Sequence, residues 1–193
     1  MKLVPTAIEG VVIVEPTVFG DERGWFMETF NEPRFHRELA ALGLPAPRPF
    51  VQDNHSCSAA GVLRGLHYQI APHPQGKLVR VVRGAVWDVA VDIRPDSPTF
   101  GRWIGSELSA ANRRQMWIPE GLAHGFLALE DDTHFLYKTT DVYARDCERA
   151  IAWHDPRLSI AWPLERIGGV PRVAEKDARA PALDDACRDE PRD

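Results

Sequence analysis

Short apolar stretches separated by turn residues run from about Val51 to Pro163, and this pattern limits the fold more than any other feature of the sequence. The clearest stretch, VWDVAVDI (86–93), alternates large apolar residues with smaller or charged ones, as expected of a β-strand. Segments rich in turn-forming residues follow at 94–101 and 119–121. Many short strands with little helix between them favour a mainly β sandwich or barrel over a parallel sheet.

One short helix is predicted ahead of these strands. Asn31 can cap its first turn, and Pro33 suits a position in that turn. Phe35, Leu39 and Leu42 recur at helical spacing and form one apolar face. A glycine then ends the helix, and a proline-rich connector leads to the strands.

The chain of 193 residues is 44% apolar and 26% charged, which is typical of one globular domain. We expect a single domain over 1–183 and a disordered acidic tail over 184–193. The net charge of −5 argues against nucleic acid or a membrane as the main partner, but is compatible with a local pocket for a small anion. No apolar run suggests a signal peptide or a membrane span, so a cytoplasmic protein is expected. Cys57, Cys147 and Cys187 show no metal-ligand spacing and suit a reducing compartment.

Polar side chains recur in the first strands of this region. Arg64 and His67 would point to opposite sides of a regular strand, but Gly65 between them permits a bulge that aims both inward. Two interpretations remain open: solvent-exposed residues on edge strands, or a site inside the sandwich, where unused polar groups are costly. The polar residues concerned are Gln52, Asn54, Arg64, His67, Gln69 and Lys77.

A second motif, WIPEGLAHGF (117–126), places Pro119, Gly121 and His124 at the PxGxxH spacing of cupin proteins. His124 is therefore a candidate binding residue, or else a partly buried histidine satisfied by backbone groups. Cupins commonly hold a metal through a His-x-His pair, a glutamate and a later histidine. Here the first pair is replaced by HYQ, beginning at His67, and no glutamate follows at the required spacing. A metal-dependent enzyme is therefore disfavoured.

Two further segments carry reactive side chains. Tyr137 and Tyr143 lie in FLYKTTDVY (135–143), and Tyr137 there fits an amphipathic core tyrosine as well as a catalytic one. Lys176 and Asp177 lie in a charged stretch, which composition alone predicts to be a solvent-exposed face. The residues by themselves do not choose between these interpretations.

Taken together, these segments resemble the dTDP-4-dehydrorhamnose 3,5-epimerase family, metal-free cupins of nucleotide-sugar biosynthesis. The resemblance implies a cupin-type jelly roll whose C-terminal segment folds back over the barrel, and a homodimer. It also implies conversion of dTDP-4-dehydro-6-deoxy-D-glucose to dTDP-4-dehydro-L-rhamnose with no cofactor and no metal. It leaves open whether the product serves O-antigen, other cell-surface rhamnose or a decorated metabolite. The matching segments are VFGDERGWFMETFN (18–31), QDNHS (52–56), VLRGLHYQ (62–69), QGKLVR (75–80), DVAVDIRPDSPTFGRW (88–103), WIPEGLAHGF (117–126), FLYKTTDVY (135–143) and EKDARAPAL (175–183).

The resemblance also implies roles for individual residues. His67 corresponds to the base that removes a proton beside the C4 ketone, and Asp177 to its partner. Lys77 corresponds to the cation that stabilises the enolate, and Tyr137 to the acid on the other face. Tyr143 corresponds to the residue that stacks on thymine. The other matching positions correspond to contacts with the nucleotide sugar, namely Arg23, Glu28, Gln52, Asn54, Arg64, His124, Glu148 and Lys176.

Three other functions are compatible with the same scaffold. A related enzyme could invert only C3 or only C5 of a dTDP-4-keto sugar, although Tyr137 favours double epimerisation. A cupin ketoisomerase of amino-sugar pathways would fit the QDNHS and VLRGLHYQ segments poorly. A non-catalytic nucleotide-sugar-binding cupin would have no use for His67, Asp177, Lys77 and Tyr137 together.

Overall fold

The computed structural model describes residues 1–186, and its strands form two sheets and a separate hairpin. In chain order, the strands of this part of the chain are β1 (Lys2–Pro5), β2 (Val12–Glu15), β3 (Val18–Asp21), β4 (Gly24–Met27), β5 (Gln52–Ser58), β6 (Val62–Gln69), β7 (Lys77–Arg83), β8 (Ala85–Asp92), β9 (Trp103–Ser109), β10 (Gln115–Ile118), β11 (Leu122–Ala128), β12 (Thr133–Thr139), β13 (Glu148–Ala150) and β14 (Arg172–Val173). The α-helices are α1 (Glu32–Ala41), α2 (Glu175–Ala178) and α3 (Leu183–Ala186), and short 3-10 helices span Arg145–Cys147 and Leu164–Ile167.

The two sheets form a sandwich. The first has the strand order β1-β2-β10-β7-β12-β5, and the second has the order β13-β6-β11-β8-β9, with β14 added beside β6. Apolar side chains from both sheets meet between them, including Val79, Met116 and Phe135 from the first and Val86 and Leu108 from the second. The predicted mainly β sandwich is confirmed. Strands β3 and β4 pair with each other as a separate two-stranded sheet.

Helix α1 covers the outer face of the first sheet and forms as predicted. Asn31 caps it, because its side-chain oxygen accepts a hydrogen bond from the backbone N–H of Arg34 at 3.1 Å. Phe35 and Leu39 are fully buried against the sheet. Leu42 was expected on the same buried face, but it is 38% exposed because the helix ends one residue before it.

The C-terminal part of the chain covers the outer face of the second sheet and returns to β6, as the predicted fold requires. Strand β14 pairs parallel to β6, and α2 follows directly. The segment AIAWHD (150–155) predicts a strand, which is wrong beyond Ala150, because β13 ends there and the chain turns. The carboxylate of Asp155 accepts hydrogen bonds from the N–H groups of Arg157 and Leu158, which stabilises that turn.

The last described residues form α3, in which Leu183 is fully buried. The predicted acidic tail therefore begins within this helix, and its residues 187–193, with Cys187, lie outside the described part of the chain. Among residues 1–186, no helix combines the length and the apolar character needed to cross a membrane.

Candidate active site

A cavity of about 290 Å³ opens between the two sheets, with polar side chains from both sheets in its wall. Strands β7 and β12 contribute from one side, β6 and β11 from the other, and α2 from the C-terminal segment. Eight of the thirteen predicted site residues line it. They are Arg64, His67, Lys77, His124, Tyr137, Glu148, Lys176 and Asp177.

A bulge at Gly65 brings Arg64 and His67 into this one cavity. His124 pairs with His67 and Phe126 with Arg64, so β6 has one residue more than β11 between these two pairs. Gly65 has φ +126°, and a Cβ atom there would lie 2.5 Å from the Cα of Gly125. Only glycine fits this position, and the bulge that the sequence permits is present.

The imidazole of His67 pairs with a carboxylate from the C-terminal segment. Its Nε2 lies 2.6 Å from Oδ1 of Asp177, which is almost fully buried and also accepts a hydrogen bond from the N–H of Gly65. Burial acts to raise the pKa of Asp177, but the interactions with His67 and Gly65 outweigh it, so the net pKa lies below its usual value. An ionised carboxylate only accepts hydrogen bonds, so Nε2 of His67 carries a proton and Nδ1 is the basic atom.

His124 makes the equivalent contact with a different aspartate. Its Nε2 lies 2.9 Å from Oδ1 of Asp88, and both side chains are buried. Burial lowers the pKa of His124 despite the nearby carboxylate. A neutral imidazole that donates a hydrogen bond to Asp88 is therefore the stable form at neutral pH.

Lys77 and Tyr137 supply a cation and a phenol from the first sheet. The ammonium of Lys77 is buried and donates a hydrogen bond to the backbone oxygen of His67 at 3.2 Å. Burial lowers its pKa to about 8, even though Asp88 and Glu148 are nearby and raise it. Burial also raises the pKa of Tyr137, so its hydroxyl group keeps its proton at neutral pH.

The rim beside the cavity is a chain of hydrogen bonds that orients Tyr143. Its backbone N–H donates to Oε1 of Gln52 at 2.9 Å, and its hydroxyl donates to Oε2 of Glu148 at 3.1 Å. Gln52 donates in turn to Asn54 at 2.9 Å, and Lys176 donates to Glu148 at 3.1 Å. The side chain of Tyr143 is half exposed, so its ring can stack on a planar ligand.

Arg23 and Glu28 are the predicted site residues that this chain does not bring near the cavity. Arg23 is at the tip of the β3–β4 hairpin, is 85% exposed and pairs with Asp21. Glu28 pairs with Arg34 at 3.2 Å and accepts a hydrogen bond from Asn31. Neither residue contributes to the cavity wall of its own chain.

Sequence analysis missed two residues that shape the site. Asp88 is the hydrogen-bond partner of His124. Its sequence signal was a charged residue within a strand of alternating apolar residues. Phe135 lines the cavity and stacks on His124 with ring centroids 6.0 Å apart and on Phe126 with centroids 4.2 Å apart. No sequence feature separated Phe135 from an ordinary core residue.

The fold and the cavity define a class of protein: a cupin-like sandwich with a histidine–aspartate pair, a tyrosine and a buried ammonium group in one cavity. The particular family follows from comparison with known proteins. The family model described as dTDP-4-dehydrorhamnose 3,5-epimerase matches residues 5–185, and the chain belongs to this family. The family, the enzyme class and the fold that the sequence predicts are thereby confirmed.

Close relatives cover almost the whole chain. The dTDP-4-dehydrorhamnose 3,5-epimerase of Pseudomonas aeruginosa is 55% identical over 96% of this chain and 98% of its own length. The enzyme of the same description from Shigella flexneri is 53% identical over the same shares. The crystal structure of the dTDP-6-deoxy-D-glucose-3,5-epimerase from Legionella pneumophila, in complex with dTDP-4-keto-L-rhamnose, has a TM-score of 0.86 and 48% identity. That comparison covers 95% of this chain and 93% of the Legionella chain.

Proposed function

We propose that this protein converts dTDP-4-dehydro-6-deoxy-D-glucose to dTDP-4-dehydro-L-rhamnose by inverting C3 and C5. The observation that carries the proposal is the position of two groups in the cavity. The His67–Asp177 pair lies on the wall formed by β6, whereas Tyr137 lies on β12 of the facing sheet. A sugar held between the sheets meets a base on one face and an acid on the other, which is what inversion at carbon requires.

Each inversion is a pair of proton transfers. The C4 ketone acidifies the neighbouring C–H bond, and Nδ1 of His67 takes that proton while the electron pair moves to the C4 oxygen as an enolate. The ammonium of Lys77 stabilises this charge inside the buried cavity. The hydroxyl of Tyr137 then gives its proton to the opposite face of the carbon. Exchange with water restores the imidazole and the phenol, so no net redox change occurs and no cofactor is consumed.

Substrate binding is assigned to the remaining residues of the cavity and its rim. Arg64 and Lys176 carry the positive charge that a pyrophosphate needs. Tyr143 offers an exposed ring for thymine, held in place by Gln52 and Glu148. Asn54 and His124 add polar groups close to the sugar.

A homodimer completes the site in this proposal. The β3–β4 hairpin exposes Phe19, Trp25 and Phe26 by 63%, 56% and 68%, which is a large apolar surface for a monomer. A second copy of the chain would cover this surface and bring Arg23 and Glu28 into the partner's cavity. Mixing Arg23→Ala with His67→Ala chains tests this arrangement: recovery of activity in mixed dimers supports it, and continued inactivity contradicts it.

The cytoplasm is the compartment that fits this assignment. Cys57 and Cys147 are both unpaired thiols in the described part of the chain, as expected in a reducing environment. Cell fractionation with an antibody against the native chain would test this location.

The deciding experiment is incubation with dTDP-4-dehydro-6-deoxy-D-glucose in deuterium oxide, followed by NMR. Deuterium at both C3 and C5, with the L-configured product trapped by a reductase, is the expected result. Label at one carbon would identify a mono-epimerase on this scaffold. No label, with the nucleotide sugar still bound in calorimetry, would identify a binding protein. The His67→Ala chain is the control for exchange without enzyme.

A further inference from the structure

A cysteine, an aspartate and a histidine meet on the outer face of the first sheet. Cys57 on β5 is the register partner of His134 on β12, and Asp132 lies in the turn just before β12. The ligand atoms of these three residues all lie within 4.8 Å of one another. None of the three lines the cavity of the proposed epimerase, and the mechanism uses none of them.

The distances within this cluster suit a small tetrahedral cation. Oδ1 of Asp132 lies 3.2 Å from Sγ of Cys57 and 3.1 Å from Nε2 of His134. Around zinc with bonds of about 2.0–2.3 Å, neighbouring ligand atoms are about 3.3–3.5 Å apart. We propose that Cys57, Asp132 and His134 bind one zinc ion, with water in the fourth position. The ion replaces the thiol proton, which is released to solvent, and binds Nε2 of a neutral His134 whose proton lies on Nδ1, facing His55.

Two further residues hold the ligands in position. Nε2 of His55 lies 3.0 Å from Nδ1 of His134, so the second ring nitrogen of the ligand is already engaged. Arg83 contacts Oδ2 of Asp132 at 2.9 Å and leaves Oδ1 directed at the cluster. Such outer contacts fix the tautomer and orientation of metal ligands. The charge of Arg83 opposes the cation, so binding is weaker than in a closed site with four protein ligands.

The ligand types select the metal. A thiolate together with an imidazole favours zinc or another late transition metal, whereas calcium and magnesium prefer sites built entirely from oxygen. The thiolate and the carboxylate also neutralise a divalent charge. The cluster lies at the surface, with Cys57 and Asp132 exposed, so the ion can enter without opening the fold.

Calorimetric titration of zinc chloride into the untagged full-length chain tests the site. We expect one zinc ion per chain, and at least tenfold weaker binding in Cys57→Ser, Asp132→Asn and His134→Ala. Asp132 has φ +53°, a conformation that asparagine tolerates, so Asp132→Asn removes the charge with the turn intact. Matched controls are Cys187→Ser and His154→Ala, which lies on the exposed surface, and both should bind as the unaltered chain does.

Cobalt(II) absorption gives a second readout, which reports the type of ligand atom rather than the strength of binding. A thiolate-to-cobalt charge-transfer band that is lost in Cys57→Ser, but kept in Cys187→Ser, is the expected result. Unchanged zinc binding in all three ligand variants, or absence of saturable binding to the unaltered chain, would overturn the proposal. Because the cluster is separate from the cavity, failure of this site would leave the epimerase proposal unaffected.

Discussion

The His67–Asp177 and His124–Asp88 pairs lie side by side, because β6 and β11 are antiparallel neighbours and the two histidines are register partners. They differ in where the carboxylate comes from. Asp88 belongs to β8, the next strand of the same sheet, whereas Asp177 is delivered by α2 from 110 residues along the chain. They also differ in access, since the His67 side chain is 24% exposed and the His124 side chain is 8% exposed.

The same combination of side chains, a histidine and an aspartate, is thus assigned two different roles. His67 opens onto the cavity and has an ionised partner, which in the proposed mechanism stabilises the imidazolium formed by proton abstraction. His124 is desolvated, and its lowered pKa keeps it neutral, so it serves as a fixed polar contact. The proposal therefore assigns the base to the pair that opens onto the cavity and the fixed contact to the pair that is buried.

The largest expected effect comes from replacing each histidine by alanine. His67→Ala should lower kcat by about 10²–10⁴-fold, because the general base is lost, while dTDP affinity stays within a few-fold. His124→Ala should mainly raise KM. Steady-state kinetics with calorimetry of dTDP binding measures both. Tyr137→Phe should behave like His67→Ala, and loss of dTDP binding in both of these variants would contradict the assigned roles.

A smaller effect is expected from removing the two carboxylates. Asp177→Ala should reduce kcat by about 10²-fold, because His67 loses the charge that stabilises its protonated form. Asp88→Ala should lower the free energy of unfolding by about 1–3 kcal/mol, because it leaves a buried N–H of His124 without an acceptor. Urea denaturation and kinetics of both variants test the contrast. If both variants lost the same activity and had the same stability, the proposed difference between the two pairs would be contradicted.

The pH profile adds a third test, through Lys77. Its ammonium is charged below pH about 8 and neutral above, so kcat/KM should fall about tenfold per pH unit on the alkaline side. Lys77→Met should be slow at every pH and lack this decline. The free energy of unfolding changes in the opposite sense. Between pH 8 and 10.5, the ordinary pKa of lysine, Lys77 is more protonated in the unfolded chain than in the folded one. Its contribution to the free energy of unfolding therefore rises with pH over this range. An alkaline limb unchanged in Lys77→Met would contradict this assignment.

The smallest expected effect is that of chelation. Each cavity histidine is engaged by its own aspartate, and within residues 1–186 the cavity does not bring three metal-ligating atoms together as the Cys57 cluster does. Treatment with a chelator should therefore leave kcat unchanged, as measured before and after dialysis. A rate that falls and is restored by added metal would contradict the metal-free mechanism.

Local signals predicted most of the strands and part of the site. Two-residue alternation marked β8, and the capping pattern at Asn31 marked α1. Gly65 within a polar strand permitted the bulge, because glycine tolerates a backbone that other residues do not. These features depend on neighbours in the chain, so periodicity and propensity suffice to recognise them.

Other features required the assembled molecule. Composition predicts that the stretch around Asp177 is solvent-exposed, yet this carboxylate is 2% exposed and meets His67. Alternation in β8 does not reveal that both faces of the strand are buried, which places Asp88 in the interior beside His124. The sequence alone determined β8, helix α1 and the glycine that permits the bulge, since each of these is a local preference. Only the tertiary structure decided which carboxylate meets which histidine, because that depends on how distant segments pack together.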